Sequence, residues 1–180
     1  MIDQLINFIR NISRSLPYNI SLSGLFFSLV TAHPLGLYFT LSQLIFALGI
    51  NFVLKYLLML INPQNPQWLR PSPPIDGCGT FPTHNNNFSN FGGMPSGHSQ
   101  TIMFSAMFWI LYIWRKGKTS LIWSFVSTLI ILLISAVVMF SRINEGCHTG
   151  LQVTIGGILG SFFGTLIYFL LETNQPQIFN

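Results

Sequence analysis

Two histidines beside helix-start signals are the residues of this chain best placed to do chemistry. The first lies in Gly92 to Gln100, GGMPSGHSQ, where a long polar loop gives way to an apolar segment. Pro95 can end the loop, Ser96 can cap the helix that follows, and His98 then falls in its first turn. The leading N–H groups of a helix lack internal partners and the dipole is positive there, so such a junction can hold an anion. The second histidine ends Ser141 to His148, SRINEGCH, which also carries Arg142. Outside the N-terminal stretch and the turn RKGK, the remaining cations are Lys55, Arg70 and Arg142. Cations, histidines and a helix N-terminus together describe a site for a phosphate. Asp76 and Glu145 are too few carboxylates to hold the ions of a two-metal phosphatase. The chemistry is therefore expected to run on protein groups alone, with no metal and no cofactor.

The elements that must bring these residues together belong to a membrane. Of the 180 residues, 50% are hydrophobic and 7% are charged, and mean hydropathy is +0.54, far from the composition of soluble domains. Repeated apolar runs predict an all-α, multi-span transmembrane bundle in a single domain, with about five spans plus an N-terminal amphipathic helix. Over residues 1–16, Ile2, Leu5, Ile6, Ile9, Ile12 and Leu16 recur at helical spacing around Arg10 and Arg14, which reads as a helix lying at the membrane surface. His33-Pro34 breaks the apolar stretch from Ile20 to Ile61, giving a short helix near residues 21–32 and a long one near 35–61. Residues 62–95, rich in Pro, Asn and Gly, form a loop long enough to be functional. Three more apolar segments follow near residues 97–114, 120–140 and 149–171.

Tracing the spans puts SRINEGCH, GGMPSGHSQ and the 62–95 loop on one membrane face, with Lys55, Arg70 and Arg142 on segments that end there. Ionisable groups near a bilayer are costly, so their convergence points to function. Arg115, Lys116 and Lys118 fall on the opposite face, and the positive-inside tendency makes that face cytoplasmic and the polar face lumenal or extracellular. Arg10 and Arg14 weaken that assignment. The net charge of +4 is too scattered to mark a nucleic-acid partner. Cys78 and Cys147 are too few for a disulfide framework, leaving open one bridge between them if both face an oxidising compartment. No cleaved signal peptide is expected. His33 reads as a break-point residue and His84 as a solvated loop residue; a zinc site drawing on His84, His98, His148 and the cysteines matches no familiar spacing. After His148, the residues Gln152, Gly156, Gly160 and Gly164 recur in steps of four, a spacing of small residues that lets membrane helices approach closely.

Lys55 followed by Arg70-Pro71, then Pro95-Ser96-Gly97-His98, then Ser141-Arg142 with His148, resembles the three signatures of the type 2 phosphatidic acid phosphatase superfamily. The resemblance implies a membrane phosphatase in which His148 is the nucleophile on phosphorus and His98 protonates the departing oxygen. It further implies that Lys55, Arg70 and Arg142 hold the phosphate oxygens with Ser96 and the Gly97 N–H. Two departures stand out. The run from Tyr56 to Leu69 separates Lys55 from Arg70 more widely than is usual in the family, so a bulging loop is needed for both to meet. Gln152 stands where many members have an aspartate; four residues after His148, it is expected one turn below it on the same helix face, orienting the ring without adding charge. That glutamine, with Met94 to Gln100, His148-Thr149, Val153, Asn51 and Leu54, resembles the dolichyl diphosphatase branch. A polyprenyl or dolichyl diphosphate is therefore the expected substrate, and the endoplasmic reticulum the expected organelle in a eukaryote. A phosphatidate or diacylglycerol pyrophosphate phosphatase is the alternative within the class. A non-catalytic lipid-phosphate binding or transport protein is the alternative outside it. The sequence does not fix the oligomeric state.

Overall fold

The computed structural model describes residues 2–71, 78, 92–117 and 119–179. Their regular structure is helical throughout: α1 (Ile2–Thr31), α2 (Leu35–Ile61), α3 (Gly97–Arg115), α4 (Leu121–Asn144) and α5 (Gly150–Asn174), then a short 3-10 turn, Pro176–Phe179. By length and apolarity α2, α4 and α5 qualify to cross a membrane. The molecule is a helical membrane bundle, and its apolar surface, including Leu121, Ile122, Phe140 and Phe162, suits lipid better than water.

The short α3 packs against every other long helix, which explains why it carries so many polar residues. His98, Ser99, Gln100, Thr101 and Ser105 are all buried, and inside such a bundle polar groups persist only where partners meet them. Gln43 of α2 supplies several: its amide donates to the Thr101 carbonyl at 3.2 Å and to the Ser105 hydroxyl, and Ser21 of α1 donates to its oxygen. Against α5 the approach is closest. A Cβ on Gly156, Gly160 or Gly164 would run into the carbonyls of Ser96, Gln100 and Phe104 respectively. The small residues at steps of four thus seat α5 directly on the start of α3. Further along the bundle, Phe39, Phe104, Phe108 and Tyr168 form an aromatic core that Ile178 and Phe179 close.

Two element boundaries and one stretch of internal winding differ from the sequence expectation. Residues 2–31 form one helix and not an interfacial helix followed by a separate short one. Pro17 removes one helical hydrogen bond, but its ring is fully buried in the bundle, so tertiary packing outweighs the local break. Within α2, Leu44–Gly49 winds as π-helix, a local widening that releases backbone groups, and there the Phe46 carbonyl accepts the Gln100 amide at 3.1 Å. Helix α4 continues to Asn144 and carries Arg142 in its last turn, where the dipole favours a cation. The break at His33-Pro34 is present: Ala32 adopts φ 54° and His33 accepts the Leu35 N–H at 3.4 Å. His84, Asp76, Lys118 and most of the 62–95 loop lie outside the described residues.

Candidate active site

The end of α2, the starts of α3 and α5 and the end of α4 converge at one end of the bundle. Asn51 donates to the Pro95 carbonyl at 3.2 Å and to Gln100 Oε1 at 2.8 Å, holding the turn that precedes α3. The Met94-Pro95 peptide in that turn is cis. Ser96 caps α3 by accepting the Ser99 N–H, and its own N–H donates to the Gln152 carbonyl at 3.0 Å. At Gly97 a side chain would press on Asn51 Oδ1 at 3.3 Å.

His148 sits between α4 and α5, and its N–H and that of Cys147 both donate to the Arg142 carbonyl at 3.1 Å. Thr149 is the N-cap of α5, so His148 precedes the helix and does not share a helical face with Gln152 as the sequence suggested. A capping box brings the two together instead: Gln152 folds back over the cap, Oε1 accepting the Thr149 N–H and lying 3.1 Å from His148 Nδ1. Its amide nitrogen donates to the carbonyls of Gln67 and Leu69 at 2.9 and 2.7 Å. Those two acceptors fix the amide orientation, and with it the imidazole tautomer: Nδ1 carries the hydrogen and Nε2 keeps its lone pair. Burial, together with the charges of Arg70 and Lys55, holds the His148 pKa well below the ordinary imidazole value and favours the neutral ring.

The wide separation of Lys55 from Arg70 is taken up by stacked turns. Asn62 and Asn65 accept N–H groups from Gln64 and Gln67 through their side chains, and the Asn65 carbonyl accepts those of Trp68 and Leu69. Gln152 fastens the result to α5, and Gly93 fastens it to the α3 turn by donating to the Trp68 carbonyl at 2.6 Å. Arg70 then reaches the Cys147 carbonyl at 3.3 Å. A disulfide joins Cys78 to Cys147, answering the question the sequence left open and tying the loop to the residue beside His148.

Arg142 is fully buried. Its Nε donates to Ser141 Oγ at 3.2 Å, and its Nη2 meets Ser13 Oγ at 3.2 Å and Glu145 Oε2 at 2.8 Å. Its Nη1 finds no acceptor among the described residues. His98 Nε2 lies 3.0 Å from the Arg14 carbonyl, an obligate acceptor, so that nitrogen carries the hydrogen, and Tyr18 packs edge-on against the ring. Every described residue that the sequence singled out for the site thus lies at this end of the bundle. The contributions of Ser13, Arg14 and Tyr18 had no local signal. For Glu145 there was one, an acid three residues after an arginine at a helix end.

Residues 34–176 match the PAP2 superfamily, so the chain belongs to that family. Over 87 residues it is 38% identical to lipid phosphate phosphatase epsilon 1, chloroplastic, of Arabidopsis thaliana, covering 48% of this chain and 31% of that protein. Over 76 residues it is 34% identical to lipid phosphate phosphatase epsilon 2, chloroplastic, of the same plant, covering 42% and 26%. The chain thus matches about a third or less of the length of these curated relatives. No solved structure matches it.

Proposed function

We propose that this chain is a single-domain integral membrane phosphatase that removes phosphate from a lipid phosphate through a phosphohistidine. The observation that carries the reading is His148: a buried, neutral imidazole with Nδ1–H committed to Gln152 and Nε2 free to attack, under the charges of Arg70 and Lys55. Family membership supports it.

The Nε2 lone pair forms the bond to phosphorus while the bond from phosphorus to the leaving oxygen breaks. Arg70, Arg142 and Lys55 hold the equatorial oxygens, with Ser96 and the Gly97 N–H at the positive end of α3. The step requires His98 as imidazolium, with Nδ1 also protonated; it gives its Nε2 proton to the departing oxygen, which takes the place of the Arg14 carbonyl as acceptor, and is left as the neutral ring. Water then adds to phosphorus, His98 takes its proton, the P–N bond breaks and His148 recovers its lone pair. No step needs a metal or cofactor.

For the substrate we take a polyprenyl or dolichyl diphosphate, cleaved to the monophosphate, on the strength of Gln152 and the residues around both histidines that resemble the dolichyl diphosphatase branch. A glycerolipid phosphate is the second reading, favoured by the lipid phosphate phosphatase names of the plant relatives. The site end is assigned to a lumenal or extracellular compartment, the endoplasmic reticulum lumen in a eukaryote. The Cys78–Cys147 disulfide beside the site supports this, as do Arg115 and Lys116 at the far end of α3.

Detergent-purified protein incubated in chelator with labelled polyprenyl diphosphate and phosphatidate tests the proposal. Release of phosphate by the wild type and its loss in His148→Ala is expected, and full activity in His148→Ala would sink the mechanism. Faster turnover of phosphatidate would select the second reading. Binding of either lipid without phosphoenzyme would leave only a binding or transport role.

A further inference from the structure

The segment that matches the family begins at residue 34, yet two of the groups proposed to meet the substrate, the acid and one ligand of the equatorial oxygens, are both held by α1. His98 donates to the Arg14 carbonyl, and Arg142 donates to Ser13 Oγ. Ser13 is itself buried, and its own hydroxyl proton is committed to the Arg10 carbonyl at 2.9 Å, which leaves its oxygen lone pairs to face Arg142.

Glu145 completes the arrangement from the other side. It is the C-cap of α4, where the negative end of the dipole disfavours a carboxylate, so helix stability gives no reason for an acid there. What surrounds it is cationic: Arg142 at 2.8 Å, Arg14 at 3.8 Å and Arg10 at 4.0 Å. A guanidinium is planar, and one hydrogen-bonded at Nε to Ser141 and at Nη2 to Ser13, with the Glu145 carboxylate in ion-pair contact at Nη2, is restrained from turning. Its remaining edge, the Nη1 donors without an acceptor among the described residues, is thereby aimed by its neighbours. A buried donor in that state is costly until an anionic oxygen arrives, which suits a group whose ligand is transient.

We propose that Glu145 and Ser13 are positioning residues for Arg142, and that α1, lying outside the family-matched segment, is a working part of the phosphate site. The inference rests on the reading of Arg142 as a phosphate ligand.

Orthovanadate, which mimics a phosphate in transfer, is the probe for a double-mutant cycle on the full chain in detergent. Glu145→Gln is expected to weaken vanadate binding about ten- to hundredfold, the range for a lost charge-assisted contact, and Ser13→Ala to weaken it less. In an Arg142→Lys background, which lacks the fork that Glu145 and Ser13 orient, both substitutions should lose most of their effect. A structural role would persist in either background, so equal effects in both overturn the proposal. Unchanged affinity in Glu145→Gln and Ser13→Ala overturns it as well, as does a wild type that binds no vanadate. Lipid turnover is scored separately. Coupled vanadate binding without turnover would leave this inference standing while the phosphatase reading fails.

Discussion

One side-chain amide joins His148 to the loop that carries Arg70. Gln152 Oε1 lies 3.1 Å from His148 Nδ1, while its nitrogen reaches the carbonyls of Gln67 and Leu69. A carboxylate at this position would stabilise imidazolium better but could not donate, and two carbonyls would then face an anion. The neutral amide is what lets one residue set the tautomer of His148 and close the loop that follows α2.

Gln152→Glu should therefore lower kcat/KM by about tenfold or more, since two buried hydrogen bonds are replaced by repulsion. Limited proteolysis should show residues 62–71 cut faster at the same time. Steady-state assays on the variant decide between this and the opposite electrostatic expectation: higher activity would mean that stabilising imidazolium matters more than holding the loop.

The pH dependence follows from the depressed pKa of His148. In the unfolded chain the ring takes up a proton near its ordinary value of about 6.5, and in the folded protein only at lower pH. The stability associated with the neutral ring is therefore present above that ordinary value and declines as pH falls below it toward the folded pKa. The neutral ring persists over the same interval. Replacing Arg70 by Gln removes a cation that helps hold the pKa down, so the acid limb of phosphoenzyme formation should move to higher pH. A limb that stays in place or moves lower would contradict the electrostatic account.

The Cys78–Cys147 bridge closes a loop over a sequence separation of 69 residues. Crosslinks of this size contribute about 2–4 kcal/mol, and this one ends beside His148. Reduction with dithiothreitol, or Cys78→Ser, should lower the thermal inactivation temperature and reduce turnover together. Turnover that survives full reduction, verified by thiol labelling, would show that Arg70 is held by Gln152 and the asparagine turns without help from the disulfide.

Much of the bundle was legible because its causes are local. A bilayer demands continuous apolar helices, so composition and run length marked them, and His33-Pro34 broke the first pair where proline geometry requires. Gly156, Gly160 and Gly164 announced the close packing of α5 through spacing alone. Where local rules compete with packing they misled: the sequence reads as an interfacial helix over residues 1–16 and a separate helix near 21–32, yet residues 2–31 form one helix with Pro17 buried inside it.

By itself the sequence determined a helical membrane bundle and the two histidine-bearing segments that share one end of it, because hydrophobic periodicity and capping residues act within a few positions of where they stand. Only the tertiary structure decided that Gln152 meets His148 across a cap and not along a helix face, and that it staples Gln67 and Leu69. Likewise only folding set Ser13 against Arg142, which are 129 residues apart in sequence. Contacts between distant segments are fixed by how whole helices pack, and no local pattern in either segment encodes the other.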